Sequence, residues 1–525
     1  MTASVSPSSL RGLLGGGGEL ALIDVREELI FSQSHLLLAR SVPLSRFELK
    51  LPQLVPRRAT RIVLCDDGDN AAERAAAILS RNGYTDLGIL AGGVAAWAAA
   101  GFELFSGVNV PSKAFGEYIE HASGTPSIAA GELEQLLRDG ADLVVLDSRP
   151  FDEYTRVSIP TATNVPGAEL VLRARDIAPS PQTTVVVNCA GRTRSIIGAQ
   201  SLINAGVPNK VVALRNGTMG WSLAGFACDS GKNRRAPGVS AKTLDWARAA
   251  AQRVAQNCGV KHIGRATLDA WRADSERTLY VFDVRDPAEY EAGHVAGAIS
   301  APGGQLVQAT DQYVGTLGAR IVLVDDVEVR AAMTGSWLRQ MGWPDVSVFA
   351  ARGTETGWPR GSMLDNDIRP DAAVDCAGLG ELLSRNAATV IDLSLSRNYL
   401  TRHIPGAWFA IRTRLARAFE RIPLRGTLVL TSEDGAVATL AVAEATNLRD
   451  LPIRYLAGGN AAWQAAGNAF SAEAKMADDP VDQWRKPYER GGDTKAAMAE
   501  YLAWETDLLP RIARDGSLKF FRMGT

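Results

Sequence analysis

Four stretches of the chain share one pattern, an apolar run that ends in aspartate: Ala21-Leu22-Ile23-Asp24, Val144-Val145-Leu146-Asp147, Tyr280-Val281-Phe282-Asp283 and Thr389-Val390-Ile391-Asp392. Eleven residues past the aspartate stands His35, His294 or His403, with Ser158 in that place in the second stretch. A second apolar run follows each time, ending at Cys65, Cys189, Val324 or Thr431, which lie 41, 42, 41 and 39 residues after the aspartate. A helical stretch and a short strand then lead to Trp97, Trp221, Trp358 or Trp463, a further 32, 32, 34 and 32 residues on. Short continuous apolar runs predict strands buried on both faces, and intervening stretches such as Ala71 to Leu79 predict helices, the alternation of a parallel sheet covered on both sides. Repetition at a fixed period implies related structural units. The expected architecture is therefore α/β: four tandem units at 1–118, 119–238, 239–370 and 371–475, and a helical C-terminal tail at 476–525. The seams are expected near Gly107 to Pro111, Lys232 to Gly238, and Arg369-Pro370.

Length agrees, since 525 residues are too many for one core. With 56 basic against 58 acidic side chains, net charge −2, the chain has no electrostatic footprint for nucleic acid or an anionic membrane. No run of about 18 apolar residues predicts a membrane span, and the N-terminus lacks a signal-like pattern. Five cysteines, Cys65, Cys189, Cys228, Cys258 and Cys376, are widely spaced with no CxxC pair, which points away from a disulfide framework or a zinc site and toward a reducing, cytoplasmic setting.

The candidate chemistry lies in the second unit. Val185 to Val187 read as a buried strand and Ile196 to Ile203 as a helix, so Cys189 sits where strand gives way to helix. Unpaired N–H groups and the helix dipole gather there, and Arg192 and Arg194 add two fixed cations, conditions that favour the nucleophilic thiolate. A lone cysteine ending a strand is otherwise a small buried hydrophobe. Two guanidinium groups beside it are expensive to desolvate without an anion to bind, so the loop reads as an anion site.

The units resemble rhodanese homology domains. The third carries the clearest front motif, Phe282-Asp283-Val284-Arg285-Asp286-Pro287-Ala288-Glu289-Tyr290-Glu291-Ala292-Gly293-His294, and the second the clearest active-site loop. The resemblance implies a cysteine that takes the outer sulfur of thiosulfate or a related donor as a persulfide, releases sulfite, and passes the sulfur to cyanide or a thiol. Cys189 would be that nucleophile and Ala190, Gly191, Arg192, Thr193 and Arg194 its cradle, with neither metal nor organic cofactor. A protein sulfur acceptor is a further partner class. A dianionic donor and leaving group need cations and N–H donors at every step. Arg192 and Arg194 are expected on the sulfonate oxygens, joined by Arg149; Asp147 is expected behind them, orienting the loop or Arg149, unless it merely caps a turn.

Cysteine-dependent phosphatases and arsenate reductases remain alternatives. The phosphatase signature places arginine six residues after the cysteine, where this chain has Ser195, so the loop is one residue short and favours a sulfur bonded directly to Cys189. The other three units are expected to be inactive. Asp66, Asp67 and Asp69 follow Cys65 and should raise its pKa, while Val324 and Thr431 replace the sulfur. A scaffold that carries sulfur for a partner is the reading from a different class.

Overall fold

A computed structural model describes residues 2–351, 363–364 and 368–524. Trp358, one of the four repeat tryptophans, lies outside the described residues.

Four sheets form, one per repeat. The second unit shows the plan: Ser127–Ile128, Val211–Leu214, Thr184–Asn188, Leu143–Asp147 and Thr163–Asn164 lie side by side in that order, all parallel. The third and fourth units repeat this order, and the fourth gains Lys475–Met476 as an extra parallel edge strand, so its sheet runs into the expected tail. The first unit's sheet is completed from elsewhere: Thr316–Leu317 of the third unit pairs antiparallel with Leu20–Asp24. Helices cover both faces because the central strands are apolar on both sides; Val185, Val186 and Val187 are all fully buried.

The units share cores. A single apolar cluster runs from Val187 and Leu202 in the second unit to Leu323 and Trp337 in the third. The helix Ala241–Asn257 bridges them, packing on Leu170–Ile177 and on Val329–Gln340.

The expected boundary at 118 falls inside a helix, Val110–Ser123. The Gly107 to Pro111 seam is that helix's N-terminus: Asn109 is left-handed at φ 57° and Pro111 occupies the first turn, where its missing N–H costs nothing. Tail helices Thr494–Thr506 and Leu508–Asp515 pack against it.

The repeat histidines are structural. His35 stacks on Phe31, His294 on Tyr290 and His403 on Tyr399, with ring centroids about 4 Å apart, and each Nδ1 meets a neighbouring carbonyl. Trp97, Trp221 and Trp463 each donate from Nε1 to the carbonyl six residues on.

Candidate active site

Strand register shifts one expected equivalence. Asp147 pairs with Asn188, as Asp24 pairs with Cys65, Asp283 with Val324 and Asp392 with Thr431. The counterpart of Cys65 is therefore Asn188, and the residues standing where Cys189 stands are Asp66, Asp325 and Ser432. A second alignment agrees: the backbone N–H of Val94, Thr218 and Asn460, each opening a tryptophan helix, donates to the carbonyl of Asp66, Cys189 and Ser432 respectively. Cys65 is a fully buried strand residue, and its thiol pKa is pushed up by burial first and by Asp24 next. The spacing of 42 residues from Asp147 to Cys189, against 41 from Asp24 to Cys65, is the trace of this shift in the sequence.

Corrected in this way, the four loops divide by what fills them. In the first unit the Asp66 carboxylate accepts from the N–H of Gly68 (2.9 Å) and Ala72 (2.9 Å). In the third, Asp325 accepts from the N–H of Arg330 (2.8 Å) and Ala331 (3.3 Å), and in the fourth Ser432 Oγ accepts from Ala438 N–H (3.3 Å). A side-chain oxygen thus fills each N–H cradle. In the second unit Cys189 occupies that place, and the N–H groups of Ala190 through Ser195 meet no acceptor among the described residues. The Cys189 thiol points at Ser195 Oγ (3.5 Å), whose own proton goes to the Arg192 carbonyl (2.8 Å).

Cys189 is only 2% exposed, but it lines a cavity of about 280 Å³. All four units and the tail line that cavity: Glu28 from the first, the Cys189 loop from the second, Gln305 and Gln308 from the third, Arg397 from the fourth, and Trp484 and Tyr488 from the tail. The tail is clamped over it by Lys486 on Glu153 (3.2 Å) and by Glu489 on Arg156 (3.0 Å) and Arg397 (3.3 Å). Lining cations outnumber carboxylates, with Lys113, Arg192, Arg194, Arg397 and Lys486 facing Glu28, Glu153 and Glu489. Two of these cations are already paired, Lys113 with the buried Glu505 (2.7 Å) and Arg192 with Glu117, so the lining carries no net excess of positive charge.

The arginines are not arranged as expected. Arg192 turns its guanidinium from the sulfur to Glu117, Nε to Oε1 at 2.6 Å and Nη2 to Oε2 at 2.7 Å, with Glu120 and Asn216 as further partners. The reason is the buried Glu117 on helix Val110–Ser123, which needs a cation. Arg149 does not join the cavity either: it is 1% exposed and closes on Asp147, Nε to Oδ1 at 2.8 Å and Nη2 to Oδ2 at 2.6 Å, and on the Val157 carbonyl. Asp147 also accepts from Asn188 Nδ2 (3.0 Å), tying the first strand end to the residue before Cys189.

Arg194 stays at the cavity. It reaches Glu153 (Nη2 to Oε2, 2.9 Å) and Gln305 (Nη1 to Oε1, 2.9 Å), while its Nε makes no hydrogen bond among the described residues. Burial works against the Arg194 charge, but Glu153 secures it. Burial also opposes the Glu153 charge, yet Arg194 holds that carboxylate well below the usual range. Met219 and Thr193 complete the wall near the sulfur. The loop geometry also depends on Gly217, φ +54°, where a Cβ would lie 2.3 Å from the Cys189 carbonyl oxygen.

Sequence reasoning missed Glu153, Gln305, Lys113, Arg397 and the tail residues. Glu153 was findable, since it lies six residues after Asp147, as Glu289 lies six after Asp283 in the front motif. The others arrive from distant units and leave no local pattern.

The rhodanese-like domain model matches residues 6–100, 129–224 and 266–351. The crystal structure of a thiosulfate sulfurtransferase from Pseudomonas aeruginosa is 46% identical, with TM-score 0.96, over 99% of this chain and 100% of that one. The probable adenylyltransferase/sulfurtransferase MoeZ of Mycobacterium tuberculosis is 35% identical over 101 residues, 18% of this chain and 24% of that protein. An HTH-type transcriptional regulator from the same species is 30% identical over 109 residues, 21% of this chain and 47% of the regulator. The chain spans about a quarter and about half of the length of these two curated relatives.

Proposed function

The chain belongs to the rhodanese family and is a rhodanese-type sulfurtransferase, and from that premise we propose that Cys189 carries sulfane sulfur from thiosulfate to a small acceptor. As thiolate, Cys189 Sγ attacks the outer sulfur of thiosulfate; the S–S bond breaks and its electron pair leaves with sulfite. The new terminal sulfur carries the negative charge among the loop N–H groups. Cyanide or a thiolate then attacks that sulfur, leaves as thiocyanate or as the acceptor persulfide, and returns Cys189 to its starting state.

One observation carries this reading: of four related loops, only the second leaves its N–H cradle unfilled by a side-chain oxygen, and it alone places a sulfur there. The carboxylates in the first and third loops act as built-in stand-ins for the anion that this cradle is shaped to hold. Thiosulfate as donor is further supported by Arg194 at the cavity wall and by the name of the Pseudomonas aeruginosa relative. The enclosure of about 280 Å³ favours cyanide or a small thiol over a folded protein as acceptor. A reducing compartment such as the cytoplasm would keep the thiol available.

The test is intact mass after thiosulfate exposure. The protein should gain one sulfur atom, keep that gain in Cys65→Ser, lose it in Cys189→Ser, and shed it on addition of cyanide with formation of thiocyanate. No gain in the wild-type protein, with hydrolysis of an aryl phosphate instead, would replace this reading with a phosphatase.

A further inference from the structure

The second and third units face each other across a reciprocal pair of contacts. In the second, Arg194, five residues past Cys189, meets Glu153 of its own unit and Gln305 of the third. In the third, Arg330, five residues past Asp325, meets Glu289 of its own unit (2.7 Å) and Glu169 of the second (2.9 Å). Glu169 and Gln305 are equivalent positions, each 22 residues after its strand-ending aspartate, in Pro166-Gly167-Ala168-Glu169 and Pro302-Gly303-Gly304-Gln305. The N–H of Gly167 and of Gly303 makes the same 3.1 Å bond, to Ser148 and Val284 respectively.

The two crossings differ in charge. Arg330 is surrounded by Glu169, Glu289, Asp325 and Asp326. Its counterpart Arg194 has one carboxylate, Glu153, which it shares with Lys486, and one neutral amide. An arginine held by carboxylates on every side has no charge left for a ligand, whereas an amide oxygen orients a guanidinium without cancelling it.

We propose that Gln305, supplied by a unit without a nucleophile of its own, is a positioning and specificity-determining residue for the Cys189 site: it aims Arg194 into the cavity as a neutral acceptor and keeps the arginine's charge available for a doubly charged sulfur donor. The third unit thus contributes to the donor-anion site. The inference rests on the proposed reading of the cavity, but anion binding alone tests it, without turnover.

In full-length Cys189→Ser protein, thiosulfate and sulfite binding are measured by calorimetry with Gln305 intact, Gln305→Glu or Gln305→Met. The carboxylate variant should weaken thiosulfate at least tenfold, and the methionine variant, which loses the hydrogen bond that aims Arg194 but adds no charge, about threefold. Adding Glu153→Gln to Gln305→Glu should recover most of the loss, which damage to packing alone would not allow. In protein with Cys189 present, Gln305→Glu should raise the thiosulfate KM far more than it lowers kcat. Binding within twofold in Gln305→Glu overturns the inference, as does an equal loss in both variants. Should the carboxylate variant fail to fold, unchanged thiosulfate binding in Gln305→Met overturns it alone. Anion binding that follows this pattern in a protein that never gains sulfur would leave the inference standing and remove the proposed reaction.

Discussion

Arg192 and Glu117 form a two-point ion pair, 2.6 and 2.7 Å, in which the carboxylate side chain is 1% exposed and the guanidinium 10%. The cation expected to face the sulfur is instead committed to joining the Cys189 loop to helix Val110–Ser123. Burial raises the Glu117 pKa even with Arg192 beside it, so the pair itself adds little net stability, but either charge alone would be stranded.

Arg192→Ala is therefore expected to destabilise the protein by about 3 kcal/mol in urea unfolding. Arg192→Ala combined with Glu117→Ala should cost clearly less than the sum of the single changes. Strictly additive losses would mean that the pair does not organise the loop.

Asp325→Cys places a thiol at the position equivalent to Cys189. It is expected to gain no sulfur from thiosulfate when Cys189 is serine, because Glu169, Glu289 and Asp326 still surround Arg330. A stoichiometric mass gain on that residue would show that a thiol in this loop suffices and that the surrounding charge does not select the active unit.

Gly217→Ala meets two penalties, a left-handed backbone and a Cβ only 2.3 Å from the Cys189 carbonyl oxygen. The expected cost is roughly 2–4 kcal/mol, together with loss of sulfur loading. Thermal unfolding and intact mass read the two effects separately. Unchanged loading would show that the loop tolerates displacement at its base.

His35 is 2% exposed, and burial pulls its pKa from the ordinary 6.5 to about 4. Below pH 6.5 the unfolded chain takes up a proton that the folded chain refuses until about pH 4. Stability from this residue is thus complete above pH 6.5 and falls as pH drops toward 4, by about 1.4 kcal/mol per unit, or ~3 kcal/mol in all. Urea unfolding between pH 4.5 and 7.5 should show a shallower slope in His35→Gln than in wild type; parallel slopes would disprove the assignment.

Much of this was legible in the chain. The apolar runs closing on Asp24, Asp147, Asp283 and Asp392 became the expected parallel strands, because a strand buried on both faces must be continuously apolar. The Cys189 loop was legible for the same kind of reason: a cysteine, a glycine and a helix start within a few residues are local features. Register was harder. Cys65 and Cys189 look equivalent when aligned by sulfur, and only the hydrogen-bonded pairing of Asp24 with Cys65 and of Asp147 with Asn188 separates them.

Sequence alone determined the repeat, the parallel α/β class and the place of the one candidate nucleophile, since strand, turn and helix preferences act over a few residues. Only the tertiary structure decided the charges around that nucleophile: Glu117 takes Arg192, Asp147 takes Arg149, and Gln305 arrives from a unit more than a hundred residues away to hold Arg194. Electrostatic interactions act through space and depend on burial, so the partner that each arginine finds is settled when the four sheets pack together.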